Sequence, residues 1–380
     1  MKHLQLIMLP LLAPQRLAAL LSLFLFLALA HASTQFSAAL ADLPTLKIET
    51  TGSKITYTRD AFWAGADFFS HFDFKTSSDY MSSNIGAADP THGFVNYVDE
   101  TTARNTNLVD ITAAGNPRWG VDTTSTYKPG QDWGRPSVRL ESKQTWTHGL
   151  FIFDIAHMPG AACGIWPALW TLGAGEWPAG GEVDVLENIH LAATNQMVVH
   201  TGENCSLSTP RRAALAGLEG NCAGSEGCRV RATTADSYGD AFNANAGGVY
   251  AVQWTSAAIK IWFFPRDRVE SEVGEWLRDL DAGTALDIAR LGLPQAAFAG
   301  GRGCNVDEHF VEHRLIFDTT FCGDWAGNSW PSKCPSVAGK KKKESCEIYV
   351  GAHPEAFEEA YWEINSVAVF KESEVVGMPV

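Results

Sequence analysis

Three carboxylates, Glu182, Asp184 and Glu187, fall within the short stretch WPAGGEVDVLENIH. Acidic groups this close could form a solvated edge, bind a metal, or act together as acid and nucleophile. Like charges on one surface repel, so the row destabilises the protein unless its members share protons, pair with cations or bind a metal. A strand is a poor cage for calcium, which takes six to eight oxygen ligands. We therefore expect no metal and no cofactor, and acids beside Trp177 favour sugar chemistry.

The segment that carries these carboxylates has the composition of a β-strand. Side chains alternate along a strand, which places Glu182 and Asp184 on one face and would place Glu187 on the other. A β-bulge at Val185-Leu186 adds one residue and returns Glu187 to the first face. The sequence therefore predicts a bulged strand with Val183 and one residue of the Val185-Leu186 pair facing the core.

Short apolar runs separated by Gly, Pro, Asn and Asp predict further strands on either side. These runs are HGLFIFDIAHM, NQMVVHTG, a hairpin in GVYAVQWTSAAIKIWFF, HRLIFDTTF and YWEINSVAVF. The main helical pattern runs from Glu272 to Leu291, divided at Gly283, and PEAFEEAYW predicts one further helical turn. Many strands with little helix indicate an all-β jelly-roll sandwich of two antiparallel sheets, in one domain from about residue 43 onward.

The first 32 residues have the features of a secretory signal peptide. Lys2 and Arg16 precede the apolar run from Leu17 to Ala30, and Ala30-His31-Ala32 fits the small residues of a cleavage site before Ser33. No second run is long enough to span a bilayer, and the C-terminal KESEVVGMPV lacks the tail of a lipid anchor. We expect residues 1–32 to be removed and residues 33–380 to form a secreted, monomeric domain.

The formal net charge of −14, without a basic face, argues against nucleic acid or an anionic membrane as partner. The run Lys340 to Lys343 is interpreted as a solvated loop. HFVEH, from His309 to His313, has the spacing of a helical metal pair, but its strand-rich context favours a surface loop.

Eight cysteines in a secreted chain predict disulfides. Their clustering favours local pairs among Cys205, Cys222 and Cys228, and among Cys304, Cys322, Cys334 and Cys346. Cys163 stands apart in an apolar context and is a candidate buried free thiol. Asn204 begins a glycosylation sequon, NCS. Pairing of Cys205 in a disulfide would make glycosylation at Asn204 less favourable.

The segment GIWPALWTLGAGEWPAGGEVDVLE resembles the active-site segment of glycoside hydrolase family 16, whose signature is E-x-D-x-x-E. The extra residue resembles the laminarinase branch rather than the lichenase branch. Similarity to fungal secreted endo-β-1,3(4)-glucanases continues in DPTHGFVNYVD, RPSVRLESK, HTGENC, FCGDWAGNSW and AYWEINSVAVF. This resemblance covers most of the mature chain and implies a jelly roll with a concave cleft that binds β-glucan.

The resemblance implies a retaining double displacement. Glu182 matches the nucleophile, Glu187 the general acid/base, and Asp184 the carboxylate between them. The charge on Glu182 should raise the pKa of Glu187, so that Glu187 stays protonated until Glu182 is esterified.

The same resemblance assigns substrate contacts outside the carboxylate row. Trp170 and Trp177 match positions that stack on sugar rings, whereas Trp166 is expected in the core. His200 matches a cleft histidine, and Arg139 and Trp325 match cleft-lining positions; Asn328 is included for its closeness to Trp325. The helical segment from Arg266 to Pro294 and the lysine run depart from the family pattern and could reshape one end of the cleft.

We therefore predict a secreted endo-β-1,3(4)-glucanase acting on laminarin-type or mixed-linkage glucans. A cell-wall transglycosylase is the close alternative, because a sugar hydroxyl can replace water in the second step. A non-catalytic glucan-binding protein on the same fold is a third possibility, which the presence of both glutamates disfavours.

Overall fold

The strands of the protein were located in a computed structural model that describes residues 55–80, 89–208, 219–274 and 288–374. In chain order they are β1 Ile55–Trp63, β2 Phe72–Lys75, β3 Val95–Tyr97, β4 Val109–Ile111, β5 Pro117–Gly120, β6 Arg135–Ser137, β7 Arg139–Ser142, β8 Gly149–His157, β9 Ile165–Leu172, β10 Glu182–Glu187, β11 Gln196–His200, β12 Ser206–Ser208, β13 Glu219–Asn221, β14 Cys228–Arg231, β15 Gly248–Trp254, β16 Ala258–Pro265, β17 Ala296–Ala299, β18 Arg314–Phe321 and β19 Tyr361–Glu374. The strands expected from the apolar runs are all present.

Two antiparallel sheets form the sandwich. The larger has the order β13-β12-β17-β16-β15-β8-β19-β5-β4, with β1 also paired to β19. The smaller, of seven strands, has the order β14-β11-β10-β9-β18-β7-β2. A short parallel ribbon joins β3 to β6. The predicted hairpin is β15-β16, and its register closes at Trp254 opposite Ile259. The expected all-β sandwich of two antiparallel sheets is confirmed.

The helices are short and lie between strands. They are α1 Glu100–Asn105, α2 Gly239–Ala244, α3 Arg266–Glu272, α4 Val306–His309 and α5 Lys342–Ala352. Helical turns of other types span Gly65–His71, Ser77–Asp79, Ile288–Leu291, Gly323–Gly327 and Pro354–Phe357. The last of these confirms the turn predicted in PEAFEEAYW. No helix in the described ranges is long and apolar enough to cross a bilayer.

Alternation along β8 explains how the two sheets pack. Phe151, Phe153 and Ile155 point into the core between the sheets, where they meet side chains of β9, β10 and β18. Leu150 and Ile152 point to the outer face of the larger sheet. Because β8 is apolar on both faces, this sheet needs a cover on its outer side.

The described ends of the segment from Arg266 to Pro294 supply that cover. Val269, Val273 and Leu291 pack with Leu150 and Ile152 on the outer face of the larger sheet. The expectation that this segment reshapes the cleft is therefore wrong for its described ends, which lie on the sheet face opposite the smaller sheet. The predicted helix from Glu272 to Leu291, with its division at Gly283, lies mostly outside the described residues, as does the proposed signal peptide.

Four disulfides correct the expected pairing. Cys222–Cys228 and Cys322–Cys346 lie within the predicted groups, but Cys205–Cys304 joins the two groups. Cys163 is not a free thiol; it pairs with Cys334, 171 residues away. The pairing predicted from cysteines close together in the sequence was wrong for two disulfides, because the sandwich brings distant loops together. A disulfide depends on the distance between two cysteines in the fold and not on their separation in the chain.

Two loop predictions also need correction. Lys340 to Lys342 are exposed and Lys343 is partly buried, but Lys342 and Lys343 begin α5 rather than lie in a loop. His313 is buried, and its ring is hydrogen-bonded to the Thr171 hydroxyl and the Gly180 carbonyl, so it is not part of a surface loop. His309 ends α4, and its neighbours Cys205 and Cys304 form a disulfide, which leaves no thiolate for a metal.

Candidate active site

The strand β10 carries the predicted bulge. Asp184 pairs with Trp170 on β9, and the next pair is Leu186 with Leu169, so Val185 is the additional residue. Val183, Val185 and Leu186 are all buried in the core between the sheets. Both members of the Val185-Leu186 pair therefore face inward, where one was expected. Glu182, Asp184 and Glu187 lie on the opposite, concave face. We call these three side chains, which are the predicted catalytic carboxylates, the catalytic row.

A buried amide side chain holds the bulge in place. The Asn195 Oδ1 accepts the backbone N–H of Glu187 at 2.9 Å, and its Nδ2 donates to the Val185 carbonyl at 2.7 Å. A bulge leaves backbone groups without partners in the ladder, and burying such groups unpaired is costly. Asn195, which is fully buried, satisfies two of them and so fixes the direction of Glu187.

Glu182 lies between an indole and an imidazole. The Trp177 Nε1–H donates to Glu182 Oε2 at 2.7 Å. His200 Nδ1 lies 2.8 Å from the Gly224 carbonyl, which can only accept, so Nδ1 carries the proton and Nε2 faces the carboxylates. That Nε2 is 3.4 Å from Asp184 Oδ2 and 3.8 Å from Glu182 Oε1. His200 thus contacts the row itself.

Glu187 has a donor of its own. The Trp166 Nε1–H donates to Glu187 Oε1 at 2.7 Å, and the Trp166 ring meets Trp325 edge-on, with centroids 5.4 Å apart. The expectation that Trp166 belongs to the core is wrong. Alternation in GIWPALW places Trp166 and Trp170 on the same face of β9. The partly buried Trp166 lies on the concave side beside Glu187.

Burial dominates the electrostatics of the row. It raises the pKa of Glu187 to about 8, with Asp184 as the next cause, and raises that of Asp184 to about 8, helped by Asp318. For Glu182, burial and then Asp184 raise the pKa, against His200 and the Trp177 N–H, which lower it. The pKa of Glu187 is raised as predicted, but burial and Asp184 are its leading causes. At neutral pH the row therefore holds protons and carries fewer than three charges.

A second group of acids lies on β18 and β7, which are two and three strands from β10. Arg139 donates to Glu141 Oε1 at 2.9 and 3.0 Å and to Asp318 Oδ2 at 3.0 Å. Its guanidinium also faces the Trp170 ring at 5.0 Å, and the Trp170 N–H points to Asp318 Oδ2 at 3.4 Å. We call Arg139, Glu141 and Asp318 the arginine cluster. Arg139 is only 3% exposed, so it supports Trp170 from beneath.

The catalytic row also has the donor atoms of a cation site. One ligand atom each from Glu182, Asp184 and His200 lies within 4.8 Å of the others. Asp184 Oδ2 is buried and has no hydrogen-bond partner. A proton on this oxygen, or on a neighbouring carboxyl, removes the repulsion without a metal, and this fits the raised pKa of Asp184.

The sequence that forms this arrangement matches a known family. The family model described as "XgeA-like, catalytic GH16 domain" covers residues 83–370. The chain belongs to glycoside hydrolase family 16.

Curated relatives of this family 16 chain come from fungi. One from Aspergillus fumigatus, named "Probable endo-1,3(4)-beta-glucanase", is 41% identical over 320 residues, which are 83% of this chain and 46% of the relative. The endo-1,3(4)-beta-glucanase xgeA of Emericella nidulans is 38% identical over 313 residues, 81% of this chain and 46% of the relative. The chain thus matches about half the length of these relatives.

Solved structures of family 16 proteins superpose on the sandwich. An elongating β-1,3-glucosyltransferase is 39% identical with a TM-score of 0.73, over 83% of this chain and 100% of the other. Laminarinase 16A from Phanerochaete chrysosporium, solved with 6-O-glucosyl-laminaritriose in donor and acceptor sites, is 39% identical with a TM-score of 0.70 over the same shares. The expected jelly roll is confirmed.

The remaining predicted residues of the family 16 site lie in different environments. Trp177 is 49% exposed at the edge of the row, and Trp170 and Trp325 are partly buried on the concave side. Asn328 is exposed, and its Nδ2 donates to the Asp324 carbonyl at 2.8 Å. That bond stabilises the end of the turn Gly323–Gly327, which carries Trp325. Asn328 thus contributes to the position of the indole.

Three residues of the site were missed by reasoning from sequence. Asp318 interrupts the apolar run LIFDTTF, and an acid in a buried strand was a usable signal. Trp166 could have been assigned by its spacing of four from Trp170. Asn195 gave no signal, because a polar residue at the start of a strand is common and its contact with the bulge depends on the fold.

Proposed function

We propose that the protein is an endo-β-1,3(4)-glucanase that works by retaining double displacement on laminarin-type or mixed-linkage glucans. The observation that carries this is the pair Glu182 and Glu187 on one concave face, each accepting an indole N–H at 2.7 Å. Family membership and the names of the relatives support the β-glucan substrate. Trp166, Trp170, Trp177 and Trp325 offer flat apolar faces for pyranose rings.

In the first step the Glu182 carboxylate attacks the anomeric carbon. Glu187, kept protonated by burial, gives its proton to the glycosidic oxygen, which leaves as an alcohol while the sugar becomes esterified to Glu182. The loss of charge on Glu182 then removes one source of repulsion.

In the second step Glu187, now ionised, takes a proton from water, and the resulting hydroxide displaces Glu182 from the anomeric carbon. Two inversions give net retention of the anomeric configuration. Asp184 lies between Glu182 and Glu187 in the row, and we propose that burial keeps it protonated, so that Glu182 can ionise without a second charge beside it.

The test is reducing-sugar release from laminarin, lichenan, xyloglucan and chitin by the purified protein, with proton NMR of the first-formed anomer. We expect release from laminarin or lichenan and a β-anomer. An α-anomer formed first contradicts double displacement, and no release from either glucan contradicts the proposed substrate.

A transglycosylase is the second candidate, favoured by the similarity to the elongating β-1,3-glucosyltransferase. The same residues serve both reactions, because a sugar hydroxyl or a water can be the acceptor. Incubation with laminarin and labelled oligosaccharide acceptors separates them: products of transfer that predominate at low acceptor concentration contradict hydrolysis as the main activity. A protein that only binds glucan would release equal, background amounts of sugar with and without Glu182→Ala.

We also propose that residues 1–32 are a signal peptide and residues 33–380 one catalytic domain that is secreted and acts as a monomer without a cofactor. The four disulfides are in keeping with an oxidising compartment. Amino-terminal sequencing of protein recovered from culture medium should begin at Ser33. Sedimentation of the same sample should give a single species of monomer mass.

A further inference from the structure

A second groove, separate from the catalytic row, lies beside the β3-β6 ribbon. It has a volume of about 400 Å³ and is lined by Asn96, Tyr127, Gln131, Asp132, Trp133 and Gly134. This volume is in the range of about 300–1,000 Å³ typical of sites for small ligands. None of these residues takes part in the catalytic row or in the arginine cluster.

The groove presents an exposed indole at its rim. Trp133 is 51% exposed, whereas most tryptophans of the described residues are buried or partly buried. An exposed indole offers a large flat apolar face to a ligand. An indole with amide and carboxylate groups beside it is suited to a pyranose ring, which offers an apolar face for stacking and hydroxyls around its edge.

The backbone under Trp133 is held rigidly. Gly134 has φ +143°, and a Cβ at this position would lie 2.1 Å from the Phe94 carbonyl carbon and the Val95 nitrogen. Before it, Asp132 Oδ2 accepts the Lys128 backbone N–H at 2.7 Å and closes a turn. The backbone position of Trp133 is thus set before any ligand arrives, which reduces the entropy lost on binding.

The floor of the groove is equally ordered. The Tyr127 hydroxyl donates to Asp122 Oδ2 at 2.8 Å, and its backbone N–H donates to the Gly351 carbonyl at 2.8 Å. The buried Arg135 guanidinium faces the Tyr127 ring at 5.4 Å. The fixed Tyr127 ring and the exposed Trp133 indole therefore line a groove whose polar groups come from Asn96, Gln131 and Asp132.

The charge of the residues that line the groove indicates which class of ligand it can bind. Asp132 is the only ionisable carboxyl or basic group among the lining residues, apart from the Tyr127 phenol. A negative group disfavours phosphates and acidic polymers, and the amides of Asn96 and Gln131 provide donors and acceptors for neutral hydroxyls. A neutral polyhydroxylated chain is the ligand that fits.

We propose that this groove is a second carbohydrate site that holds a segment of the β-glucan polymer away from the scissile bond. The β3-β6 ribbon also places Tyr97 against Arg139, at 6.0 Å, beside the concave face. The groove therefore sits on the same structural element that borders the site. The proposal rests on the proposed function for the identity of the polymer, but not for the existence of the groove.

The experiment compares the wild type with Trp133→Ala on a polymer and on a short substrate. Laminarin binding is measured by retardation in native gels containing laminarin, and rates are measured on laminarin and on an aryl β-laminaribioside. We expect Trp133→Ala to weaken laminarin binding and raise the KM for laminarin about three- to tenfold. The kcat/KM on the short substrate should stay unchanged.

Two further variants keep the result interpretable. Asn96→Ala should change laminarin binding in the same direction by a smaller factor. Leu293→Ala removes a side chain that is 74% exposed and lies outside the groove, and it should behave as wild type. Far-UV circular dichroism and thermal unfolding check that each variant is folded.

The outcomes distinguish this proposal from the proposed function. Retardation of Trp133→Ala equal to that of the wild type overturns the second site, as does an equal loss on laminarin and on the short substrate. If the wild type hydrolyses neither substrate yet its retardation depends on Trp133, the groove stands and the proposed function fails. If the wild type hydrolyses both substrates and its retardation does not depend on Trp133, the proposed function stands and the second site fails.

Discussion

The catalytic row and the arginine cluster are two groups of buried or partly buried acids on the same face of one sheet, and they differ in how their charge is balanced. In the arginine cluster a guanidinium lies within 3.0 Å of both carboxylates. In the row, the groups facing Glu182 and Glu187 are neutral indoles and His200. A fixed cation favours the ionised form of neighbouring acids, whereas neutral donors leave the proton free to move. Only the second arrangement suits an acid that must give up and recover a proton.

Burial acts on both groups, as Asp318 shows. Burial raises its pKa to about 7, although Arg139 lowers it. The difference between the clusters is therefore the presence of a permanent counter-charge, and not the degree of burial. Substitutions that remove a charge or a hydrogen-bond donor from either group test this difference.

The largest effect is expected for Glu182→Gln. The amide keeps the shape of the side chain but cannot attack the anomeric carbon, so kcat on laminarin should fall by about 10⁴-fold or more. Reducing-sugar assays measure the loss, and the exposed Glu100→Gln on α1 is the control that should keep full activity. Substantial activity in Glu182→Gln would mean that the row does not contain the nucleophile in this position.

Arg139→Met should give the largest loss of stability. It removes the cation from two buried acids and should lower the free energy of unfolding by about 3–5 kcal/mol at pH 8. Near pH 5 the loss should be smaller, because Asp318, with its raised pKa, is then protonated. Urea unfolding at both pH values measures this.

The matched control for that variant is Arg104→Met, which breaks the half-exposed pair with Glu100. Surface pairs contribute about 0–1 kcal/mol, so little change is expected. A loss for Arg139→Met as small as this would show that the arginine cluster does not depend on its cation.

Glu187→Gln should change the dependence of stability on pH. The folded-state pKa of about 8 lies above the ordinary value of 4.5, so between these values the native state holds a proton that the unfolded chain releases. Wild-type stability therefore falls as pH rises through this window. The variant lacks this loss and should exceed the wild type by roughly 1–3 kcal/mol at pH 8.5, with no difference near pH 4. Urea unfolding at both pH values measures the difference in free energy of unfolding between variant and wild type. The same difference at pH 8.5 and at pH 4 would contradict the raised pKa of Glu187.

The smallest effect is expected for Trp166→Phe. Its N–H donates to Glu187 and lowers the pKa of this acid, so its removal should move the alkaline limb of kcat/KM to higher pH by about one unit. The second step needs ionised Glu187, so kcat should fall about tenfold near pH 7. Trp170→Phe, which loses an N–H directed at Asp318, should leave that limb in place. An identical shift in both variants would mean that the indoles act only by packing.

Much of the fold and of the row could be read from the sequence. The period of two in the apolar runs determined which strands form and which faces they bury. The step of three from Asp184 to Glu187 determined the bulge, since a carboxylate on the core face of Val183 and Val185 would have been buried without a partner. These conclusions needed only local geometry.

Contacts between strands far apart in the sequence were decided by the tertiary structure alone. Asn195 supports the bulge, Trp166 donates to Glu187 and Cys163 pairs with Cys334. Each contact depends on the order of strands in the sheets and on the loops the sandwich brings together. Alternation along one strand gives the face on which a side chain lies, but not the neighbour it meets there. The sequence thus determined the acids, and the folded sandwich determined the donors and cations that set their protonation.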